Sequence, residues 1–320
     1  MSFTIEQGAE RLAQLRTAIA SRIVGQEGAI DDALVVFLAR GHLLIEGVPG
    51  TAKTLLVRAL AGALGVRFTR VQFTPDLMPS DLTGISVMRD PARGFEFQPG
   101  PIFTDLLLGD EINRAPAKTQ SALLEAMAER QVTTDGHTRP LDALFTVYAT
   151  QNPVEHEGTY PLPEAQLDRF LLKTVVRYPA REAELAMLEA HEAGFDPERS
   201  GATLVAPVLA RDEAIALRTL VDGVRVAPEI REYITNIARA TREEAALSLG
   251  ASPRATVALM RAARAAAVLA GRGFVLPDDV KERAPAVLRH RVVVAPELEV
   301  EGRNADDVLA GILERIDAPK

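Results

Sequence analysis

The stretch His42–Thr54 reads HLLIEGVPGTAKT and decides the fold. Its apolar run, His42–Ile45, predicts a buried strand, and the apolar residues of Lys53–Leu64 recur along one face of a helix. The turn between them nearly matches G-x-x-x-x-G-K-[ST], a pattern in which backbone N–H groups at a helix N-terminus hold phosphate oxygens. Strand, glycine-rich turn and helix together are the first unit of an α/β nucleotide-binding fold.

The residues of this turn are predicted to share the binding of a nucleoside triphosphate. We expect the Lys53 ammonium to reach the β- and γ-phosphates and the Thr54 hydroxyl to bind Mg²⁺. Ala52 occupies the position of the last glycine of the pattern. Because this position begins the helix, we expect a negative φ there, which alanine adopts without strain. The predicted nucleotide-binding residues of the turn are Gly47, Val48, Pro49, Gly50, Thr51, Ala52, Lys53, Thr54 and Leu55.

Two adjacent carboxylates, Asp110 and Glu111, follow a second apolar run. The carboxyl end of a buried parallel strand is where α/β folds place their ligands. Asp110 is suited to the Mg²⁺ shell through a bound water, and Glu111 to activating the water that attacks the γ-phosphate. An acidic pair after an apolar run is by itself more typical of a solvated strand end, so the catalytic interpretation depends on the phosphate-binding turn.

Asn152 follows a third apolar run, Leu144–Thr150, at the end of another predicted strand. A side-chain amide at this place is suited to orienting the attacking water or contacting the γ-phosphate. Asn-Pro is equally typical of a simple turn, and the residues alone leave both interpretations open.

The rest of the chain extends the first unit into two predicted domains. Five strands alternating with helices predict a parallel sheet covered on both faces, which makes residues 1–179 an α/β core. From residue 180 onward Ala, Arg and Glu dominate without a strand pattern, so residues 180–320 are predicted to form an all-helical domain. The other predicted strands are Val66–Phe73, Asp105–Leu108, Leu144–Thr150 and Leu171–Arg177. Helices of the second domain are expected near 181–193, 211–222, 228–243, 253–270 and 277–288.

Two segments that a minimal core does not need predict β-hairpins. The first covers residues 85–98, with Asp90–Arg93 between its two strands. The second covers Gln131–Pro140 and has Asp135-Gly136 at its tip.

Composition excludes several classes of protein. The chain has 320 residues, a net charge of −8, no Cys and 5% aromatic residues. Without Cys there is no disulfide scaffold, thiolate metal site or cysteine catalysis, and a cytoplasmic location is the default expectation. No apolar run approaches the roughly 18 to 20 residues of a membrane span, so we expect no membrane insertion. The acidic balance and the scarcity of aromatic residues disfavour a nucleic-acid partner.

In its motifs the chain resembles the MoxR family of AAA+ ATPases. The resemblance rests on GVPGTAKT at Gly47–Thr54, DEINRAP from Asp110, ATQNP from Ala149, LPEAQLDRF from Leu162 and GASPR from Gly250. The order and spacing of these motifs match over about residues 15 to 300. The resemblance implies a P-loop AAA+ core with a helix-2-type hairpin insert and a helical lid domain.

The resemblance also implies roles for single residues. Asn152 matches sensor 1, and Arg169 matches the arginine finger, which reaches the γ-phosphate bound by the neighbouring subunit. Arg254 matches sensor 2, a lid cation placed on the nucleotide. Val24, Gly25 and Gln26 match a segment that contacts adenine, although a simple turn between helices remains an equal alternative.

The implied activity is Mg²⁺-dependent ATP hydrolysis by a closed ring, most often a hexamer. The ring would remodel or activate protein complexes, with a von Willebrand factor A domain protein as a separate-chain partner. Phe95, Phe97 and Arg93 of the first hairpin are candidates for contact with a protein client, or else pack into a small local core. A nucleic-acid-stimulated motor and a nucleotide-gated scaffold with little turnover are the alternatives.

Overall fold

A computed structural model describes residues 3–90, 94–153, 159–196 and 204–319. The helices in these ranges are α1 (Ile5–Ala20), α2 (Glu27–Leu38), α3 (Lys53–Leu64), α4 (Pro79–Thr83), α5 (Ala117–Glu129), α6 (Glu164–Leu167), α7 (Arg181–Glu192), α8 (Arg211–Leu220), α9 (Pro228–Glu243), α10 (Pro253–Leu269), α11 (Pro277–Leu288), α12 (Pro296–Val300) and α13 (Ala305–Arg315). The strands are β1 (Leu43–Gly47), β2 (Phe68–Gln72), β3 (Gly84–Asp90), β4 (Gly94–Pro99), β5 (Leu106–Asp110), β6 (Gln131–Thr134), β7 (His137–Pro140), β8 (Thr146–Gln151), β9 (Leu172–Val176), β10 (Leu247–Leu249) and β11 (Val293–Val294). No helix in the described ranges is both long and apolar enough to cross a membrane.

The predicted five-stranded parallel sheet is confirmed. Its strand order is β2-β5-β8-β1-β9, and each neighbouring pair is parallel. In β1, Leu43 lies opposite Leu172 and Gly47 opposite Val176, which aligns the amino ends of β1 and β9 at one edge. All carboxyl ends therefore meet at the other edge, where the phosphate-binding turn begins.

Apolar side chains cover both faces of the sheet, as alternation along each strand requires. Leu43 and Ile45 belong to a large buried cluster that also contains residues of α1, α2, α3, α10 and α11. Leu44 points into a second cluster, which lies on the opposite face and includes Leu123 and Leu124 of α5. The first cluster continues from the sheet into the carboxyl-terminal helices, because the alanine-rich helix α10 packs against α1 and α2.

Both predicted hairpins are present. β3 pairs with β4 and β6 pairs with β7, each antiparallel. At the tip of the second hairpin Asp135 has φ 53° and Gly136 has φ 74°. Two consecutive positive φ angles are typical of the type I′ turn, which Asp-Gly favours.

The second half of the chain differs in part from the all-helical prediction. The five expected helices are present as α7 to α11, but β10 and β11 form a short antiparallel pair. Strands of three and two residues are too short to produce a recognisable alternation in the sequence. The two last helices, α12 and α13, were also not predicted. The boundary between residues 179 and 180 remains a prediction.

A buried carboxylate ties α8 to the sheet. Asp105, which precedes β5, is fully buried and accepts hydrogen bonds from the guanidinium groups of Arg67 (3.2 Å) and Arg211 (2.9 Å). The Arg67 backbone N–H donates to the same carboxylate at 3.0 Å. Burial by itself would raise the pKa of Asp105, but these hydrogen bonds outweigh it and hold the pKa well below its usual range.

We expect Asp105→Asn to lower the free energy of unfolding by about 2 to 3 kcal/mol, because it removes charge-assisted hydrogen bonds whose arginine partners still reach solvent. A carboxylate whose pKa is lowered by folding stabilises the fold at pH values above the pKa it has in the unfolded chain. The loss of stability caused by Asp105→Asn should therefore shrink as the pH falls below 3.8. Urea unfolding at pH 7 measures the effect. Glu243→Gln, which breaks an exposed pair with Arg239, is the matched control and should cost less than about 1 kcal/mol. Equal losses in the two variants would contradict the prediction.

Candidate functional site

The phosphate-binding turn leaves β1 at Gly47 and enters α3 at Lys53. Gly47 lies so close to β9 that an added Cβ would meet the Val176 carbonyl oxygen at 2.6 Å. Gly50 has φ 82°, a left-handed conformation that glycine adopts freely. The expected negative φ at Ala52 was wrong, because Ala52 precedes the helix as its N-cap and has φ 61°. A non-glycine residue is strained in that conformation by about 1 to 2 kcal/mol, which explains why the general pattern has glycine here.

The Lys53 ammonium lies inside this turn. It donates to the Gly47 carbonyl and approaches the carbonyl oxygens of Val48 at 3.4 Å and Gln151 at 3.5 Å. Gln151 ends β8, and Asn152 follows it with only 4% of its surface exposed. The structure thus brings Lys53 and Asn152 together at the carboxyl edge of the sheet.

Asp110 joins this group through two hydroxyls. Thr54 Oγ1 donates to Asp110 Oδ2 at 3.2 Å, and Thr150 Oγ1 donates to Asp110 Oδ1 at 2.6 Å. Hydroxyl and carboxylate oxygens are hard ligands of the type that Mg²⁺ prefers, so the residues present fit the predicted ion. Thr150 was not predicted as a site residue, since only the pairing of β5 with β8 brings it beside Asp110.

Three basic or amide side chains contact the two acidic residues, two of them from the neighbouring strand β2 and one from the turn after β5. Arg70 on β2 donates to Asp110 Oδ2 from Nε at 3.1 Å and from Nη2 at 2.7 Å. Gln72, two residues further on the same strand, donates to Glu111 Oε2 at 2.7 Å. Arg114 donates to the same Glu111 oxygen at 3.0 Å. Sequence reasoning missed Arg70 and Gln72, because no motif marks them and their role depends on the register between β2 and β5. It also assigned no role to Arg114, although Arg114 lies within the DEINRAP motif.

Arg169 and Arg254 lie at the opposite, amino edge of the sheet. Arg169 precedes β9 and donates to the Leu124 carbonyl at 2.8 Å. Arg254 comes within 3.8 Å of the Asp168 carboxylate. The length of β1, about 16 Å at 3.3 Å per residue, separates this edge from the phosphate-binding turn. Because its helix α10 packs at the other end of the strands, Arg254 does not line the phosphate-binding turn of its own chain, and its contact with a nucleotide remains a prediction.

The predicted adenine segment divides between two cavities. Val24 lines a mainly apolar cavity of about 710 Å³ together with Ala52 and Leu55 of the phosphate-binding turn and its helix. Met187 and Leu188 from α7 also line it. Gly25 and Gln26 line a separate cavity, and the Gln26 amide donates to the Arg177 carbonyl at 3.0 Å. Only Val24 of the three residues thus lies on the cavity that adjoins the turn.

The two aromatic residues of the first hairpin differ in their surroundings. Phe95 is 70% exposed. Phe97 packs edge-on against Phe103, with ring centroids 5.7 Å apart, and the Arg139 guanidinium of the second hairpin lies 3.8 Å from its centroid. Phe95 is thus available for a partner, whereas Phe97 belongs to a local core that links the hairpins. Arg93 lies outside the described residues.

Comparison with known proteins identifies the family and the fold of the chain. The family model described as "ATPase family associated with various cellular activities (AAA)" matches residues 42–172, and an AAA lid domain model matches residues 239–312. The Bacillus subtilis protein YeaC is 48% identical over 93% of this chain and 91% of its own length. Chaperone MoxR1 of Mycobacterium tuberculosis is 42% identical over 93% of this chain and 80% of its own length. A crystal structure of a Cytophaga hutchinsonii protein, 39% identical, superposes with a TM-score of 0.88 and covers 98% of this chain and 96% of that one.

The fold, the matched family models and the relatives lead to one assignment. The core carries the phosphate-binding turn at Gly47–Thr54 and the acidic pair Asp110-Glu111 at adjacent points on one sheet edge. The identity to Chaperone MoxR1 extends over nearly the whole chain, well beyond these motifs. The chain belongs to the MoxR family of AAA+ ATPases.

Proposed function

We propose that the chain is a Mg²⁺-dependent ATPase that works as a closed ring, most often a hexamer, and remodels or activates partner protein complexes. The observation that carries the proposal is the convergence of Lys53, Asp110, Glu111 and Asn152 at one edge of the sheet. ATP and Mg²⁺ are the implied ligands, and ADP is the implied product.

Each residue has a role that follows from its position. Lys53 would neutralise phosphate charge, while Thr54 and Asp110 would hold Mg²⁺, which neutralises the charge that develops on the phosphates. Glu111 would accept the proton of the attacking water, and Asn152 would orient that water. The contacts of Gln72 and Arg114 with Glu111 support a site whose base is held in a defined place.

The base of the nucleotide has a suitable place in the apolar cavity next to the turn. Leu55, Val24 and the α7 side chains Met187 and Leu188 offer flat apolar surface to a purine. Gly25 and Gln26 would support this cavity from behind rather than contact the base. Gly25 cannot carry a side chain without strain, since its φ is 74° and an added Cβ would come within 2.7 Å of Ala183 Cβ.

The arginine finger requires a second subunit. Because Arg169 and Arg254 lie a whole strand length from their own phosphate-binding turn, we propose that both act on the nucleotide held by the neighbour. A head-to-tail interface of this kind repeats from chain to chain and closes into a ring. The planar guanidinium group of Arg169 is suited to stabilising phosphoryl charge in the transition state.

Protein partners are favoured over nucleic acid. Chaperone MoxR1 is a relative over nearly the whole chain. Among the described residues of the first hairpin, Ile85, Met88 and Phe95 are apolar and at least 49% exposed, which suits contact with a protein client. A von Willebrand factor A domain protein would join as a separate chain, and we propose the cytoplasm as the location.

The purified chain should hydrolyse ATP only in the presence of Mg²⁺, and Lys53→Ala should lower steady-state turnover at least about 100-fold, since it removes a cation from the phosphate site. Lys118→Ala, an exposed lysine on α5, is the matched control and should keep normal turnover. A chain that forms rings and binds ATP without turnover would contradict the proposal and indicate a nucleotide-gated scaffold. Strong stimulation by single-stranded DNA that weakens with salt would indicate a nucleic-acid motor instead.

A further inference from the structure

The amino edge of the sheet holds a cavity of about 390 Å³ that is unusually rich in arginine. One carboxylate, Asp168, faces it, and the His42 ring in its wall is buried. Burial lowers the pKa of His42 to about 3, so this imidazole contributes no positive charge at neutral pH. The arginines that line the cavity are Arg40, Arg130, Arg169, Arg254, Arg261 and Arg291.

The carboxylates nearby do not balance these charges. Arg291 uses the Asp168 carboxylate at 2.6 Å, and Arg40 pairs with the exposed Asp222 at 2.7 Å. Within the described part of the chain, Arg130, Arg169 and Arg261 have no carboxylate within ion-pair distance. The cavity therefore carries a surplus of fixed positive charge, which attracts an anion.

Arg130 and Arg261 are held in place by main-chain carbonyls at the end of α2. The Arg130 guanidinium donates to the Arg40 carbonyl at 2.5 Å, and Arg261 donates to the Ala39 carbonyl at 2.6 Å. These carbonyls end α2, where a cation is favourable, so capping of α2 explains part of the arrangement. It does not explain why both cations gather in one cavity with four further arginines.

The electrostatic balance of the pair is unfavourable without a ligand. Burial and the charges of Arg261 and Arg40 lower the pKa of Arg130, and burial and Arg40 lower the pKa of Arg261. An anion between these side chains would reverse this repulsion. Guanidinium groups bind phosphate oxygens in a bidentate manner, so an oligophosphate satisfies several of them at once.

We propose that Arg130 and Arg261 form, together with Arg169 and Arg254, an anion site that takes the terminal phosphates of the nucleotide bound by the neighbouring subunit. The inference rests on the proposed function, because it needs a shared site between subunits. It adds two residues that no sequence motif marked. Its occupant comes from the neighbour, since the phosphate-binding turn of the same chain lies at the opposite edge of the sheet.

Mixing of variant subunits tests the assignment. Arg130→Gln/Arg261→Gln, which keeps polar groups for the α2 carbonyls, should turn over ATP roughly 10- to 100-fold more slowly than the wild type. When the double variant is mixed in equal amounts with Lys53→Ala, the ATPase activity of the mixed rings should exceed the summed activities of the two variants measured alone. The reason is that about one interface in four then joins an intact turn to an intact arginine cavity. Arg231→Gln/Arg239→Gln, two exposed residues of α9, removes the same charge elsewhere and should turn over normally.

Arg169→Ala mixed with Lys53→Ala runs in parallel, with ring formation measured by mass in solution. One outcome is that the mixture of Arg169→Ala with Lys53→Ala regains activity while the mixture of the double variant with Lys53→Ala does not. The defect of the double variant then lies within its own chain, which overturns the inference but leaves the proposed function standing. If neither pair regains activity in intact rings, both fail. Normal turnover of the double variant would also overturn the inference. Should the double variant unfold, Arg261→Gln alone replaces it with the same expected outcomes.

Discussion

Arg169→Ala should lower ATP turnover by roughly 1,000-fold or more, while each chain still binds ATP with nearly normal affinity. The size of the expected fall in turnover follows from the loss of a guanidinium that stabilises phosphoryl charge only in the transition state. Affinity is spared because a guanidinium that acts only in the transition state adds little to the binding of ATP in the ground state. Steady-state kinetics and equilibrium binding of a fluorescent ATP analogue measure the two effects separately.

The control for this variant must separate chemistry from structure. Arg169 Nη1 also donates to the Leu124 carbonyl, so the alanine variant loses one hydrogen bond of the fold. Arg169→Lys keeps the positive charge but lacks the planar guanidinium group, so its turnover should exceed that of Arg169→Ala only slightly. The thermal unfolding midpoint shows whether the fold is intact. A fall in ATP affinity that matches the fall in turnover would show that Arg169 binds ATP equally well in the ground state and would contradict the prediction.

Glu111→Gln should lower turnover by about 100- to 10,000-fold and leave ATP binding intact, because an amide cannot accept the proton of the attacking water. The variant keeps the shape of the side chain, and its carbonyl oxygen still accepts from Gln72 and Arg114. Single-turnover hydrolysis of bound ATP measures the chemical step directly. Glu125→Gln, an exposed residue on α5, should hydrolyse ATP at the normal rate.

The same variant offers a way to find the client. A ring that binds ATP and hydrolyses it slowly should hold its protein partner for longer than the wild type, so affinity capture with ATP present should enrich it. Turnover near the wild-type rate in Glu111→Gln would show that another group acts as the base. The capture experiment would then lose its rationale.

Much of the fold could be predicted because local patterns and tertiary structure agree. The apolar runs were long enough to mark all five strands of the sheet, and Asp135-Gly136 marked one hairpin by its turn chemistry alone. The site residues at the carboxyl edge followed from the same strands, since parallel strands bring their ends together. Their catalytic roles remain predictions.

What could not be predicted depends on register and on packing between distant segments. Thr150, Arg70 and Gln72 reach the acidic pair only because particular residues of neighbouring strands lie side by side. The left-handed conformation of Ala52 depends on how the turn enters α3, with Ala52 as the N-cap and not as the first helical residue. The distance of Arg254 from the phosphate-binding turn of its own chain could not be foreseen, because sequence order does not reveal at which end of the sheet α10 packs.

The separation of the two sheet edges by β1 has a consequence for counting sites. Each chain offers a phosphate-binding turn at one end and an arginine cavity at the other, so under the proposed arrangement a complete site belongs to a pair of chains. A linear string of subunits always leaves one turn without arginines, and a closed circle leaves none. ATP turnover then requires at least two chains. Closing a string of subunits into a circle completes its last site, and losing one subunit opens that site again.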